Sequence, residues 1–127
     1  LVKLVVAEPE SKETWSYAKH VQWVSSELAV TEVRRAVRGK VDRDPTLDLV
    51  ALLSKAEIVL QETALEPLNR LALWRAGGFF DPRLGSHDAI HVMVALDLRP
   101  IYAFVTYDIH QAEVARDAGL NVRMPGA

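Results

Sequence analysis

Between Ser86 and Leu98 the chain carries Ala89, Ile90, Val92, Met93, Val94, Ala95, Leu96 and Leu98, apolar side chains on almost every face of a helix. A helix apolar all round must be covered on all sides. It falls short of the roughly 20 apolar residues a membrane span needs, so it belongs at the centre of a layered globular domain. Pro100 stops it, and residues 101–106 read as a strand buried on both faces.

The remainder of the chain alternates in the same way. Residues 1–7 are apolar apart from Lys3, and periodicity does not decide between helix and strand there. Glu8, Pro9, Glu10 and Ser11 end that run. A short helix over 12–19 and a short strand over 21–25 follow. Ser26 then caps a helix over 27–38 that Gly39 ends. Asp44-Pro45 opens a helix to about Lys55, and Ile58, Val59 and Leu60 read as a buried strand. Thr63 and Glu66 have capping-box spacing ahead of a helix to Ala76, and residues 79–85 form a loop. Ser86 caps the apolar helix, Asp108 caps a helix to Ala118 with Gly119 just beyond it, and residues 120–123 form a last strand. Strands alternating with helices predict an α/β fold, a three-layer sandwich with a central, mostly parallel sheet. Sites in such sheets form outside the carboxyl ends of the strands.

Length and composition narrow the function classes. The 127 residues fit one domain, 1–127, large enough to bury a core. There is no cysteine, which excludes a disulfide framework and thiolate metal sites and suits a reducing cytoplasm. A net charge of −2 makes no global call for a polyanion, so such a partner must meet a local patch. Residues 1–7 lack the basic leader and cleavage site of a signal peptide, and no membrane partner is expected.

Three acids stand in otherwise interior segments: Glu32, Asp88 and Asp108. On a helical wheel stepping about 100° per residue, Leu28, Ala36, Ala29, Val33, Val37 and Val30 fill one arc, and Glu32 falls inside it. A pairing with Arg35 three residues on is its ordinary account. Asp88 suits the first turn of its helix by the helix dipole, and Asp108 suits an N-cap with Gln111 three residues later. Singly these accounts suffice. Jointly, three acids on central elements point to one shared centre. Clustered carboxylates repel one another unless a cation joins them, and oxygen ligands suit Mg²⁺, with Mn²⁺ in its place. Phosphodiester hydrolysis by a metal-activated water is the chemistry such a centre supports.

The chain resembles the PIN-domain ribonucleases, in particular VapC-type toxins of toxin–antitoxin pairs. The matching stretches are Leu1-Val2-Lys3-Leu4-Val5 through Glu8-Pro9-Glu10-Ser11, Ser25-Ser26-Glu27-Leu28-Ala29-Val30-Thr31-Glu32-Val33, His87-Asp88-Ala89-Ile90-His91-Val92, and Phe104-Val105-Thr106-Tyr107-Asp108. The resemblance implies a PIN-like fold and a Mg²⁺-dependent endoribonuclease that acts as a toxin. It also implies an RNA substrate, a cognate antitoxin and a homodimer. Glu32, Asp88 and Asp108 match the second, third and fourth members of the family's acidic centre. The first member lies on an initial strand ahead of the Leu-Val-Lys-Leu helix, before Leu1. The resemblance therefore implies an N-terminally truncated domain, without the first strand, that binds metal poorly and cuts RNA weakly or not at all. Where the family has Arg and an apolar residue before its Asp-Ala-Ile-His motif, Gly85 and His87 stand here, which bears on substrate contacts.

Arg34, Arg35, Arg38, Lys40 and Arg43 make a local basic cluster. Arg34 and Arg38, on the helix that carries Glu32, are candidate phosphate contacts or a seat for acidic antitoxin residues, and Thr106 joins them as a substrate-binding candidate. The ordinary account of the cluster is a solvated helix face. Trp15, Trp23, Trp74, Phe79 and Phe80 read as core or interface. Two rival functions stand beside the ribonuclease: a catalytically silent PIN-like binding module, and a zinc hydrolase using His87 and His91, four residues apart on one helix, with His110 as a third ligand.

Overall fold

The computed structural model describes residues 1–5 and 8–127 and divides into two compact units. Unit 1 comprises Leu1–Leu65 and Gly126, and unit 2 comprises Glu66–Pro125 and Ala127.

Unit 1 is largely helical. The first apolar run begins as helix α1 (Val2–Val5); its last two residues, Val6 and Ala7, lie outside the described residues. Helix α2 (Ser11–Ala18), strand β1 (Val24–Ser26), helix α3 (Leu28–Arg43), helix α4 (Leu49–Gln61) and strand β2 (Ala64–Glu66) follow, with β1 paired to β2. Leu4 and Val5 from α1, Ala29, Val33 and Val37 from α3, and Ala56, Val59 and Leu60 from α4 form the core. The spacing of four along α3, and of three and four along α4, gives each helix one inward stripe.

Several boundaries differ from the sequence reading, each for a local reason. Ser26 is not a cap; it ends β1 almost fully buried, and the residue before α3, Glu27, makes no side-chain capping bond. Gly39 does not end α3, because the stripe that contains Val37 keeps the helix in place to Arg43 despite a cost of about 1 kcal/mol for an interior glycine. Asp44-Pro45 makes a turn rather than a helix start. The Asp44 carboxylate accepts bonds from the amide and hydroxyl of Thr46 at 3.2 and 2.5 Å, and α4 starts instead from Asp48, which accepts from the Ala51 amide. Residues 58–60 are the last turns of α4 and not a strand: Val59 and Leu60 face the core while Ile58 is exposed. Thr63 donates back to the Val59 carbonyl at 2.7 Å, so it closes α4 instead of opening the next helix.

Unit 2 contains helix α5 (Arg70–Gly78), helix α6 (Ser86–Asp97), strand β3 (Phe104–Val105), helix α7 (Ile109–Asp117) and strand β4 (Val122–Arg123). The cap of α5 is Asn69, which accepts from the Ala72 amide, where the sequence reading had Thr63 and Glu66. α6 packs against α5 and α7, and no residue from 88 to 96 is exposed, as its all-round apolar surface requires. Arg75 of α5 reaches Asp97 of α6 at 2.6 Å. Val92, Ala95, Ala115 and Leu120 form the core, with Phe79, Leu84, Ile101 and Phe104 against them. Strands β3 and β4 are parallel, Phe104 opposite Val122 and Val105 opposite Arg123. The chain is thus α/β with short strands. The described strands form two separate two-stranded sheets in place of the single central sheet expected, partly because residues 58–60 are spent on α4.

Not every aromatic is inside. Trp23 and Phe79 pack against the two cores, and Lys55 lies over the Trp15 ring, whereas Trp74 and Phe80 are 80% and 86% exposed.

Two local devices hold unit 2 beyond its core. Gly119 takes φ 94° after α7; its amide bonds the Arg116 carbonyl and the Leu120 amide bonds the Ala115 carbonyl, each at 2.9 Å. This is a Schellman closure with Leu120 and Ala115 in apolar contact beneath it. Arg83, in the loop before α6, places Nε and Nη2 on Asp81 at 3.0 and 2.9 Å, and Nη2 also meets Asp117 of α7 at 2.9 Å. Hydrogen bonds from Arg83 hold the Asp81 carboxyl down at about 2.

Both devices are testable. A Cβ at Gly119 meets open space, so Gly119→Ala isolates the backbone cost, and urea unfolding should show a loss of about 1–2 kcal/mol. Because the Asp81 pKa is depressed on folding, its contribution is full above the ordinary carboxylate range and is lost as pH falls toward 2. Arg83→Met should raise the Asp81 midpoint toward 3.8 by NMR titration, and the stability gap between parent and variant should narrow between pH 4 and pH 2.

Candidate active site

Strand β3 ends at Val105 and hands the chain to Thr106, which is buried. The Thr106 hydroxyl accepts from the Asp108 amide at 3.1 Å and donates to Gln111 Oε1 at 2.6 Å. Asp108 is the N-cap of α7, with extended backbone, and its Oδ1 accepts from the Gln111 amide at 2.8 Å. Among the described residues nothing bonds its Oδ2. Asp108 therefore sits just past the carboxyl end of a parallel strand, where the fold class places sites.

Gln111 reaches further. Its side chain is buried, and Nε2 points to the main-chain carbonyl of Asp88 at 3.4 Å, a long hydrogen bond. Asp88 lies half-buried in the first turn of α6. One buried amide thus joins the starting turns of α6 and α7 and brings Asp88 and Asp108 to the same end of unit 2.

The sequence reading saw Gln111 only as the partner in a capping box. In such a box the side chain three residues on returns to the cap's own amide. Here the Thr106 hydroxyl has taken that amide, which leaves Gln111 to bridge the helices. A signal was available: Gln111 heads the buried stripe of Val114, Ala115 and half-buried Ala118, the same pattern of a polar residue in an apolar arc that singled out Glu32.

Glu32 belongs to unit 1. It is half-buried on α3 and shares the inward side of that helix with Ala29, Val33 and Ala36. Burial lowers the pKa of the Leu1 amino group, and the Glu32 carboxylate, then Glu8, partly offset that, so Glu32 lies close to the start of α1. Arg34 and Arg38 are exposed and stand about 200° and 240° around α3 from Glu32, while Arg35 is only about 60° away. Arg34 faces Glu57 of α4 at 3.8 Å, an exposed pair of the kind that contributes little.

Among the described residues no group of three or more His, Asp or Glu side chains stands close enough to hold a metal ion. Two of the three sequence-predicted acids share one end of unit 2, and the third is in unit 1. His87 is exposed and His91 half-buried along α6, His110 is exposed at the start of α7, and they make no three-donor group with one another among the described residues. Paired carboxylates are an oxygen-only donor set. Mg²⁺ takes one or two carboxylates and completes its shell with water and phosphate oxygens, a demand that two aspartates would suit better than they would suit zinc's preference for nitrogen and sulfur.

The structural and chemical roles of Asp108 separate by substitution. Asp108→Ala removes the cap and should cost about 1 kcal/mol. Asp108→Asn retains an oxygen for the Gln111 amide and should unfold close to the parent in the same urea series.

No protein-family model and no solved structure matches the chain. Among curated proteins it is similar to Ribonuclease VapC47 of Mycobacterium tuberculosis strain CDC 1551 / Oshkosh, at 31% identity over 133 residues that span 100% of this chain and 93% of that protein. It is similar at 31% identity over 136 residues to Ribonuclease VapC35 of the same strain and of strain ATCC 25618 / H37Rv, across 99% of this chain and 92% of the relative. The likeness runs nearly the length of both chains, so the chain belongs to the VapC ribonuclease family.

Proposed function

We propose that this protein is a Mg²⁺-dependent endoribonuclease, able to use Mn²⁺, that acts as the toxin of a toxin–antitoxin pair. The observation that carries the proposal is the pair Asp88 and Asp108, tied to one end of unit 2 through Gln111, in a chain whose relatives are named ribonucleases. Asp88 and Asp108 are the residues that would hold the cation, through their carboxylate oxygens. Glu32 is the third carboxylate assigned to the same chemistry. A bound Mg²⁺ would supply Lewis-acid polarisation of a phosphoryl oxygen and a more acidic water.

The remaining roles fall to side chains already described. Arg34 and Arg38, exposed on α3, are proposed to meet RNA phosphates, which position a backbone without reading its bases. Thr106 is proposed to serve substrate through Asp108, since both its donor and an acceptor lone pair are engaged within the chain. A cognate antitoxin, a homodimer and a cytoplasmic setting complete the proposal. No helix among the described residues is long and apolar enough to cross a membrane. The rival reading is a catalytically silent member of the family that binds RNA or a partner without cutting.

Incubation with RNA in Mg²⁺ or Mn²⁺ decides between them. Cleavage that chelator abolishes is expected. Asp88→Asn should reduce it by more than the roughly 10–100-fold cost of losing an outer partner of a metal ligand. Cleavage undiminished in excess chelator would remove the metal from the scheme, and binding with no cleavage in either metal would favour the silent module.

A further inference from the structure

We infer that Gln111 is a positioning residue that sets the spacing of Asp88 and Asp108 for a shared divalent cation; the inference rests on the metal-dependent reading above. Three observations converge on it. Gln111 is buried, which obliges both ends of its amide to find partners. Its Oε1 is anchored at 2.6 Å by the Thr106 hydroxyl, on the segment that carries Asp108. Its Nε2 meets the Asp88 carbonyl at 3.4 Å, on the helix that carries the other acid.

The side chain touches neither carboxylate. It acts on the two main chains that deliver them. The Gln111 main-chain amide does bond Asp108 Oδ1 at 2.8 Å, and that bond survives any substitution except proline. A side-chain variant therefore leaves Asp108 capped by the main chain and removes the side-chain bonds to Thr106 and to the Asp88 carbonyl. Groups that hold metal ligands in place from outside the coordination shell typically matter by about 10–100-fold in metal affinity.

Sub-stoichiometric Mn²⁺ provides a probe that works for weak sites and needs no turnover. In the parent chain, Mn²⁺ should broaden the backbone amide signals of Asp88, Ala89, Asp108 and Ile109 together, with one common midpoint. In Gln111→Met, similar in volume and unable to bond either partner, the midpoint should rise about tenfold and the α6 and α7 signals should no longer respond together. The melting temperature should fall by only a few degrees. A folded Gln111→Met that broadens at the parent's midpoint overturns the inference while leaving the metal-dependent reading intact. A parent chain whose Asp88 and Asp108 signals ignore Mn²⁺ overturns both. If Gln111→Met does not fold, Thr106 decides: Thr106→Ser should keep the parent's midpoint and Thr106→Val, which frees Gln111 Oε1, should raise it, whereas equal midpoints overturn the inference.

Discussion

A buried carboxamide has to satisfy a donor and an acceptor at once, and in unit 2 that obligation falls on Gln111. The acceptor end is met by Thr106, the donor end by the carbonyl of Asp88. Because those partners belong to the exit of β3 and the entrance of α6, satisfying one side chain fixes how two elements begin relative to each other. The cap of α7 follows from the same cluster, since Asp108 draws on the Thr106 hydroxyl and on the Gln111 main chain. The core beneath is built mostly of small side chains, Ala76, Ala89, Ala95, Ala112 and Ala115 beside Val92, Val114 and Leu120. With so few large side chains to specify an arrangement, a directional polar cluster can select among packings that differ little in buried area.

Unit 1 solves a different problem. Its core residues come from α1, α3 and α4, and its acid of interest, Glu32, lies on the inward side of a helix otherwise lined by alanine and valine. Exposed Arg34 and Arg38 stand well around the same helix from Glu32, while exposed Arg35 is only about 60° away.

Long apolar patterns and well-marked helix ends were legible in the sequence, and several other local closures were not. The all-round apolar helix at α6, the cap at Asp108 and the glycine after α7 follow from residue type and spacing. The order of acidic motifs carried the family, which neither composition nor charge suggested. What failed were short segments whose identity depends on a neighbour. Ile58, Val59 and Leu60 suit a strand as well as a helix until the stripe from Ala56 claims two of them for the core. Ser26, Asp44 and Thr63 each have a side chain suited to capping, yet burial, a tight turn and a back-bond to Val59 use them otherwise. At the candidate site, Asp108 and Asp88 stand out by sequence alone, while the bridging bonds of Gln111 depend on a hydroxyl five residues earlier in the chain taking the amide it would ordinarily serve.

The Thr106 hydroxyl both accepts and donates, so its proton has one place to point. That fixes which end of the Gln111 amide is oxygen, and hence that its N–H groups face α6. The polarity of the whole cluster is therefore set by folding, with no rotor left to turn. Charge arriving at this end of unit 2 meets dipoles already oriented, and little reorganisation accompanies it.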